Sequence, residues 1–406
     1  MNQEHFDALE TRYPAERERE LFALLPRQIA HAKANAPWFA ASLRDVDPVA
    51  INTRAALARL PVVRKHELIE LQKQRRPFGG LVASRWGQMG RVFSSPGPIY
   101  EPEGRNADYW RTARALFAAG FRAGDLVHNS FSYHMTPGAW ILEGGALALG
   151  CTVFPGGVGQ TEQQVQAMAD LQPHGYVGTP SFLRILLDKA DELGLKIPSL
   201  TKALVSGEAF LPPVREAFAA RGITGYQAYA TADLGVIAYE TPAREGLVVD
   251  EDVILEIVRP GTGDPVPDGE VGEVVVTTFN KTYPLIRFGT GYLSAILPGI
   301  SPCGRTNLRI KGWMGRADQT TKVKGMFVHP EQVEAVRKRH PQIVRARLVV
   351  TNPDAIDTMT LQCEGTGDGA AVAESLRELT KLRGEVKFLD SLPNDGKVIS
   401  DERKYD

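Results

Sequence analysis

Cysteine, long apolar stretches and excess charge are all scarce in this chain of 406 residues. The three cysteines, Cys151, Cys303 and Cys363, are too far apart in sequence to form a metal-binding spacing. Single scattered thiols are typical of a reducing compartment, so we expect a cytoplasmic protein. No apolar stretch reaches the ~18 residues that a membrane-spanning helix needs. The polar N-terminus also lacks the apolar core of a signal peptide.

The charges nearly cancel, because 47 lysines and arginines are matched by 48 aspartates and glutamates, which leaves a formal net charge of −1. This balance gives no general attraction to nucleic acid or to anionic lipid, so we expect neither as a partner. Any anion that the protein binds must therefore be held by a local site. The chain length predicts two or three domains.

Strand-like and helix-like segments alternate from about residue 107 to residue 222. Apolar segments such as "GDLVHNSFSY" and "KALVSGEA" alternate with helical ones such as "SFLRILLDKADELG". This alternation predicts βαβ units, and hence an α/β fold with a mostly parallel sheet. Such sheets bind ligands where their strands end, so "VSGEAF" and "YQAYATAD" should lie on one rim.

The regions before and after this alternating stretch have different sequence patterns, and these patterns suggest the domain organisation. We predict a large N-terminal domain over residues 1–315, with a helical cap at about 1–80 and a β-rich subdomain at about 247–315. Residues 316–406 should form a small α+β domain. The junction "GRAD" contains Arg316 and Asp318 and is a candidate hinge.

The segment "YATAD" combines an aromatic ring, a hydroxyl and a carboxylate just after a predicted strand. Tyr229 could cover a base or an aryl group, Thr231 could reach a phosphate, and Asp233 could hold Mg²⁺ through its hard oxygen atoms. The alternative is an ordinary strand-to-helix turn that Asp233 caps.

Three further segments are weak signals when each is taken alone. Arg287 is a fixed cation, and Thr290 with the following glycine predicts a tight turn, although a strand end with a hairpin is equally compatible. Lys397 follows a glycine in a polar loop, where a lysine is usually just solvated. The segment "RVFSSPGPIY" places two hydroxyls beside a glycine, as a phosphate-binding loop does.

Taken in order, these segments resemble the phenylacetate–CoA ligase branch of the adenylate-forming (acyl/aryl-CoA synthetase) superfamily. The resemblance runs over most of the chain and includes "ARLPVVRKHEL", "VGTPSFL", "SGEAF", "YATAD", "YPLIRFGTG", "VKGMFVHPEQVE" and "DGKV". So many segments in the right order are far more specific than any single motif. The resemblance implies a small C-terminal domain that moves between two half-reactions.

The resemblance implies an enzyme, an AMP-forming acid–thiol ligase that uses ATP, Mg²⁺ and coenzyme A. Its substrate would be a small carboxylic acid, aryl or aryl-acetic, which is activated to an acyl-adenylate and then transferred to CoA. A homodimer is compatible with the resemblance. Some relatives carry extra cysteines for a structural zinc, but only Cys303 remains here, so we expect no zinc.

The resemblance also assigns roles to individual residues. The catalytic positions are Thr231, Asp233 and Lys397, with Asp233 beside Mg²⁺ and Lys397 as the lysine that enters for adenylation. The positions that match the nucleotide-binding segments are Ser94, Ser95, Gly97, Ser206, Gly207, Glu208, Tyr229, Arg287, Thr290, Tyr292, Arg316 and Lys324. The positions where related enzymes line the acyl or aryl pocket are Phe131, Tyr133 and His134, for which core packing is the alternative.

The chain departs from the family pattern on the nucleotide side. The family's phosphate loop is longer and generally ends in Lys-Pro, whereas "FSSPGPIYEPEG" has no lysine, and its prolines remove N–H donors. Tyr292 stands where the family has an aspartate that accepts both ribose hydroxyls, which a phenol cannot do. Asp233 replaces a glutamate. The first two changes favour two alternatives: a binding protein for a CoA-like or nucleotide-like ligand, or an enzyme for an already activated substrate.

Overall fold

The computed structural model describes residues 4–95, 97–315, 317, 319, 321–323, 326–353 and 357–403. Its helices are α1 Pro14–Asn35, α2 Pro37–Ser42, α3 Arg54–Leu57, α4 Leu68–Gln74, α5 Ala113–Ala118, α6 Gly138–Ala148, α7 Thr161–Leu171, α8 Pro180–Glu192, α9 Pro212–Ala220, α10 Pro330–Arg339 and α11 Gly369–Thr380. None of the helices in these ranges combines the length and the apolarity needed to cross a bilayer.

The strands are short and become more frequent after residue 220. They are β1 Val63–Arg64, β2 Arg91–Ser95, β3 Ile99–Glu103, β4 Leu126–Asn129, β5 Thr152–Pro155, β6 Gly175–Gly178, β7 Lys202–Val205, β8 Thr224–Thr231, β9 Gly235–Tyr239, β10 Leu247–Val249, β11 Val253–Val258, β12 Gly272–Thr278, β13 Phe288–Ser294, β14 Ile296–Leu297, β15 Arg309–Ile310, β16 Thr321–Val323, β17 Met326–Val328, β18 Ile343–Thr351, β19 Thr358–Gly365, β20 Glu385–Leu389 and β21 Ile399–Asp401.

The chain divides into two compact units that are discontinuous in sequence. The first unit consists of Met1–Leu255, Val276–Phe288 and Leu297–Trp313. The second consists of Glu256–Val275, Gly289–Ile296 and Met314–Asp406. The division at residues 315 and 316 stays a prediction, and Arg316 and Asp318 of the candidate hinge lie outside the described residues.

The sheet that carries the candidate site has the strand order β14-β15-β10-β9-β8-β7-β6-β4-β5. Strands β5, β4, β6, β7 and β8 pair in parallel, as the alternating sequence pattern predicts. Apolar residues of these strands and of the helices that cover them fill the core, with Val127, Val177 and Leu204 at or below 1% exposure. The predicted α/β fold class is therefore confirmed.

The parallel pairing ends at β8, since the next strand, β9, runs antiparallel to it. Two sequence predictions are wrong, one for the turn after β8 and one for Thr290. Asp233 lies in a turn between β8 and the antiparallel strand β9, so no helix follows it. Gly235 makes this reversal possible, because its φ is +73° and a Cβ there would lie 2.6 Å from the carbonyl oxygen of Trp110. Thr290, expected in a tight turn, instead lies within strand β13.

Helix α6 contains two neighbouring glycines in different surroundings, which gives a sharp test of its packing. A Cβ on Gly145 would lie 2.4 Å from Thr112 Cβ and 2.7 Å from the backbone nitrogen of Ala113, whereas a Cβ on Gly144 meets nothing within 4 Å. We expect Gly145→Ala to lower the free energy of unfolding by about 1–3 kcal/mol through overpacking. The control Gly144→Ala should raise it by up to about 1 kcal/mol, because alanine favours a helix. Urea unfolding measures both, and equal shifts would contradict this packing.

The second unit contains a separate small sheet with the order β20-β19-β18-β21. Strand β18 pairs antiparallel with β19 and parallel with β21, and β19 pairs parallel with β20. Helices α10 and α11 add apolar side chains to the core of this unit, including Val336 and Leu376, both fully buried. Pro330 begins α10, as its sequence position predicts.

Candidate active site

The carboxyl ends of β6, β7 and β8 bring the loop "SGE" into position. The N–H of Ser206 donates to the carbonyl of Gly178, and its hydroxyl donates to the carbonyl of Ala228 at 2.8 Å. These bonds connect the start of the loop to the end of β6 and to the interior of β8, and so fix the loop backbone. Gly207 follows with φ +81° and is exposed. The loop therefore lies at a strand-end rim, where α/β sheets bind ligands.

The loop "SGE" lies beside the predicted acyl pocket. A Cβ built on Gly207 would be 3.6 Å from the ring of Phe131 and 3.7 Å from the methyl group of Thr179. The exposed carboxylate of Glu208 accepts a hydrogen bond from the Ser181 hydroxyl at 2.9 Å. Phe131, Gly207 and Glu208 thus lie within one small area of the rim.

Tyr133 and His134 differ in how they are held. The hydroxyl of Tyr133 donates to Glu143 at 2.6 Å and accepts from the Asn129 amide at 3.0 Å. Burial and the neighbouring Glu143 carboxylate raise the pKa of Tyr133. Its ring meets Trp140 edge-on at 5.2 Å. Tyr133 is thus firmly fixed by its neighbours, whereas His134 is exposed at the rim.

Asp233, the carboxylate predicted to lie beside Mg²⁺, is buried in the turn between β8 and β9. The Asp233 side chain is fully buried, and its Oδ2 accepts from the Lys65 ammonium at 2.5 Å. Thr231 Oγ1 accepts from the backbone N–H of Leu234 at 3.2 Å, so this hydroxyl stabilises the turn. Tyr229 is half-buried in β8, where a β-bulge follows it.

The altered phosphate-loop segment forms a tight β-hairpin. Ser94 and Ser95 lie in β2, which pairs antiparallel with β3, and exposed Gly97 lies in the connection. The Ser95 hydroxyl donates to the buried carboxylate of Glu101 on the opposite strand. A hydroxyl committed in this way cannot also donate to a phosphate. The weakened phosphate cradle that the prolines predict stays a prediction.

Arg287 is buried and holds an N-terminal segment. Its φ is +48°, and its guanidinium donates to the carbonyl oxygens of Ala58 at 2.7 Å and Leu60 at 2.6 Å. Its own carbonyl accepts from the N–H of Val63. These contacts connect the helical N-terminal region to the start of β13 within the first unit. A nucleotide-binding role for Arg287 stays a prediction.

Thr290 and Tyr292, two further residues predicted to contact the nucleotide, lie in the second unit. The Thr290 hydroxyl donates to the carbonyl of Val274 at 3.0 Å and accepts from the N–H of Tyr292 at 3.2 Å. Tyr292 itself is half-buried in β13. Arg316 and Lys324 lie outside the described residues, so their predicted roles stay predictions.

Lys397 lies on an exposed loop whose backbone is firmly anchored. Arg347 Nε donates to the Lys397 carbonyl at 3.1 Å, and Arg347 also contacts Asp395. Gln319 bonds to the backbone on both sides, donating to the Gly396 carbonyl at 3.0 Å and accepting from the N–H of Ile399. The ammonium group has no hydrogen bond or ion pair within the described part of the chain.

Sequence reasoning missed two charged residues at the buried turn. Lys65 lies in the segment "ARLPVVRKHEL", yet it pairs with Asp233, 168 positions away. Glu101 is fully buried in β3, and burial, followed by the charge of Asp233, raises its pKa to about 8. The sequence offers no specific signal for either residue, because a charged side chain beside or within a short strand is too common to be informative.

Comparison with known proteins first defines the class. A model of the AMP-binding enzyme family matches residues 109–280, which include the strand-end rim and the turn that carries Asp233. A solved 2-hydroxyisobutyryl-CoA ligase, in an open conformation with 2-HIB-AMP and CoA, superposes with a TM-score of 0.74 at 25% identity. The superposition covers 97% of this chain and 92% of that one. The fold is therefore that of AMP-binding, adenylate-forming ligases.

Curated relatives then define the family. Phenylacetate-coenzyme A ligase of Aromatoleum evansii is 32% identical over 354 residues, which are 83% of this chain and 79% of that protein. The enzyme of the same name from Escherichia coli K12 is 30% identical over 393 residues, or 92% and 88%. The chain belongs to the phenylacetate–coenzyme A ligase family of AMP-forming CoA ligases. ATP-dependent activation of a carboxylic acid and transfer to CoA follow from this membership.

Proposed function

We propose that this protein activates an aryl or aryl-acetic acid as its adenylate with Mg-ATP and passes the acyl group to coenzyme A. The observation that carries the proposal is the buried Asp233 carboxylate paired with Lys65 at the end of β8. A carboxylate and an ammonium group at a strand end form a charged site suited to a metal–phosphate ligand. The cytoplasmic location and the homodimer stay predictions.

Asp233 is suited to a cation because one of its oxygens is unused. Oδ1 is buried and has no hydrogen-bond partner among the described residues, whereas Oδ2 is bound by Lys65. A buried acceptor without a partner costs about 1–3 kcal/mol, which a bound cation would offset. Asp233 would hold Mg²⁺ through this oxygen. The ion, when bound, would neutralise charge on the phosphates of ATP.

The remaining residues would orient the substrates and supply charge. The rim segment with Phe131 and Gly207 offers an aromatic face for the aryl group, and Tyr229 lies in the adjacent strand β8. Lys65 would place a positive charge beside the reacting phosphate in the first half-reaction. Lys397 would supply a second positive charge for adenylation, where a preorganised cation stabilises the developing negative charge.

A second candidate function is supported by the β2–β3 hairpin. Its Ser95 hydroxyl is committed to Glu101, and proline removes an N–H donor at residue 98. A protein with this hairpin could bind a CoA-like ligand, or act on an already activated acyl group, without adenylation. Nucleotide binding distinguishes this candidate from the ligase.

Calorimetry of nucleotide binding tests the proposed function. We expect the wild type to bind Mg-ATP and CoA, and Tyr292→Asp to bind Mg-ATP about 10-fold more tightly, because a carboxylate accepts bonds from both ribose hydroxyls. Tyr13→Asp adds the same charge at a residue that is 80% exposed, and should leave the affinity unchanged. Pyrophosphate release with a panel of aryl acids then identifies the substrate.

The contrary result is equally clear. If the wild type binds CoA but no ATP, and Tyr292→Asp does not restore ATP binding, the adenylation proposal is wrong. The second candidate would then account for the protein. If Tyr13→Asp changes ATP affinity as much as Tyr292→Asp does, the effect is one of general charge and not of ribose recognition.

A further inference from the structure

A cleft on the surface of the first unit lies outside the candidate active site, and none of the predicted site residues lines it. Its volume is about 480 Å³, which is of the size that a small-molecule ligand occupies. Its walls come mainly from the end of α4 and from the segment that joins α4 to β2. The side chains that matter below are Arg75, Arg76, Phe78, Arg85, Trp86 and Met89. We call this feature the arginine cleft.

The arginine cleft concentrates positive charge. Three arginines line it, and no carboxylate does so among the described residues. Arg75, Arg76 and Arg85 are exposed, and their guanidinium groups have no hydrogen bond or ion pair within the part of the chain that the structure describes. The whole chain has a net charge of −1, so this local excess is not part of a generally basic surface. Such a cleft attracts an anion, and guanidinium groups bind phosphate through paired hydrogen bonds.

Aromatic and apolar side chains form another part of the wall. Trp86 is 68% exposed, and its ring centre lies 5.7 Å from that of the buried Phe78. Met89 is buried and also lines the cleft. A flat heteroaromatic ring can stack on an exposed indole face, as bases do on aromatic side chains. The cleft therefore offers phosphate binding and ring stacking side by side, which are the two contacts that a nucleotide needs.

Backbone and side-chain contacts hold the arginine cleft in shape. The carbonyl of Arg75 accepts from the N–H of Gly79 at 2.8 Å. Gly80 has φ +78°, and a Cβ there would lie 3.1 Å from Arg75 Cδ, so the arginine stem packs against this glycine. Gln72 of α4 exchanges two hydrogen bonds, each of 2.9 Å, with the backbone of Tyr100 on β3. The cleft is thus anchored to the hairpin that stands where the family has its phosphate loop.

We propose that the arginine cleft binds a phosphorylated adenosine, with its phosphates on the arginines and its adenine against Trp86. Adenine is the base of both nucleotide substrates that family membership implies, ATP and CoA. Two sources supply this chemistry: the nucleotide end of CoA, which also carries a phosphate on its ribose, and a free adenine nucleotide. The inference goes beyond the proposed function, because no residue of the cleft is assigned to either half-reaction.

Calorimetry on the full-length protein tests the cleft, with adenosine 3′,5′-bisphosphate as the probe. We expect Arg76→Gln/Arg85→Gln to weaken binding at least 10-fold, because hydrogen bonds to charged phosphate are lost. Trp86→Ala should weaken it about 10-fold through the loss of stacking. Adenosine, which has no phosphate, should bind the wild type at least 10-fold more weakly than the bisphosphate. All three side chains are exposed, so these variants should fold.

The matched control is Arg27→Gln/Arg59→Gln. Arg27 lies on α1 and Arg59 follows α3, and both are exposed arginines of the same unit that do not line the cleft. This variant loses the same charge as Arg76→Gln/Arg85→Gln and should bind the bisphosphate as the wild type does. Equal losses in the two variants would show a general electrostatic attraction and would overturn the inference.

The kinetics of thioester formation distinguish the two sources of the ligand. If the nucleotide end of CoA occupies the cleft, Arg76→Gln/Arg85→Gln should raise the KM for CoA at least 10-fold. Pyrophosphate release in the absence of CoA should be unchanged. If bisphosphate binding is weakened while the KM for CoA stays the same, the cleft binds a free nucleotide. Either result supports the site and identifies its ligand.

The remaining outcomes separate this inference from the proposed function. Absence of bisphosphate binding by the wild type at millimolar concentration overturns the inference, even if pyrophosphate release shows that adenylation proceeds. Binding that neither Arg76→Gln/Arg85→Gln nor Trp86→Ala weakens places the ligand elsewhere and also overturns it. Binding that both variants weaken supports it, even if calorimetry detects no ATP.

Discussion

Replacing Lys397 by alanine is expected to slow acyl-adenylate formation by about 10²–10³-fold, the usual cost of losing one preorganised charge donor. Transfer of the acyl group from a supplied acyl-adenylate to CoA should be unchanged. The exposed ammonium group has no partner within the described part of the chain, so its removal breaks no folded-state contact. The change should therefore act on the chemistry and not on stability.

The loop around Lys397 supports this separation because its anchoring contacts do not involve the Lys397 side chain. Gly396 has φ +70°, and a Cβ there would lie 2.6 Å from the side chain of Val271, so the turn is closely packed. Asn394 Oδ1 accepts from the N–H of Val271 at 3.2 Å. The lysine side chain can thus be changed while the loop keeps its position within the second unit.

Lys387→Ala is the matched control for Lys397→Ala. Lys387 is an exposed lysine of the same unit, on β20, with a long ion pair of 3.7 Å to Glu385. Its removal should change neither half-reaction. Pyrophosphate release measures adenylation, and thioester formation from synthetic acyl-adenylate measures transfer. A parallel loss of both rates in Lys397→Ala would contradict a role confined to the first step.

The parallel part of the fold was predictable because its signals are local. Each strand from β4 to β7 is an apolar segment followed by turn residues and a helix, and this pattern is typical of a parallel α/β sheet. The rim contact between Phe131 and Gly207 follows, because parallel strands end at the same edge. The reversal after Asp233 was readable too, since a glycine follows two residues later.

The buried charges of the site were not predictable, because their partners are remote in sequence. Nothing beside Lys65 shows that it will meet Asp233, and nothing beside Glu101 shows that its strand will be buried on both faces. Arg287 shows the same limit. Its guanidinium reaches the carbonyls of residues 58 and 60, more than 220 positions away. Matching a motif can predict the role of such a residue, but it cannot predict which residues its side chain contacts.

The second large effect is expected from Lys65→Met. Lys65 is 29% exposed, whereas the Asp233 side chain is fully buried. Methionine would fill the space of the lysine stem but leave the Asp233 carboxylate without this counter-charge. Breaking a buried pair costs about 3–5 kcal/mol, and we expect about 2–4 kcal/mol here because the ammonium is partly solvated. Adenylation should fall by about 10²-fold through the loss of a charge beside the phosphates.

A double-mutant cycle with Asp233→Asn separates the two causes, because it removes the buried charge together with its partner. Lys65→Met/Asp233→Asn should recover most of the lost stability, since no unpaired charge remains. It should recover none of the adenylation rate, because both charged groups of the site are gone. Urea unfolding and pyrophosphate release measure the two quantities. If stability is additive across the cycle, the pair contributes nothing to folding. If the rate recovers with stability, Lys65 acts only through the fold.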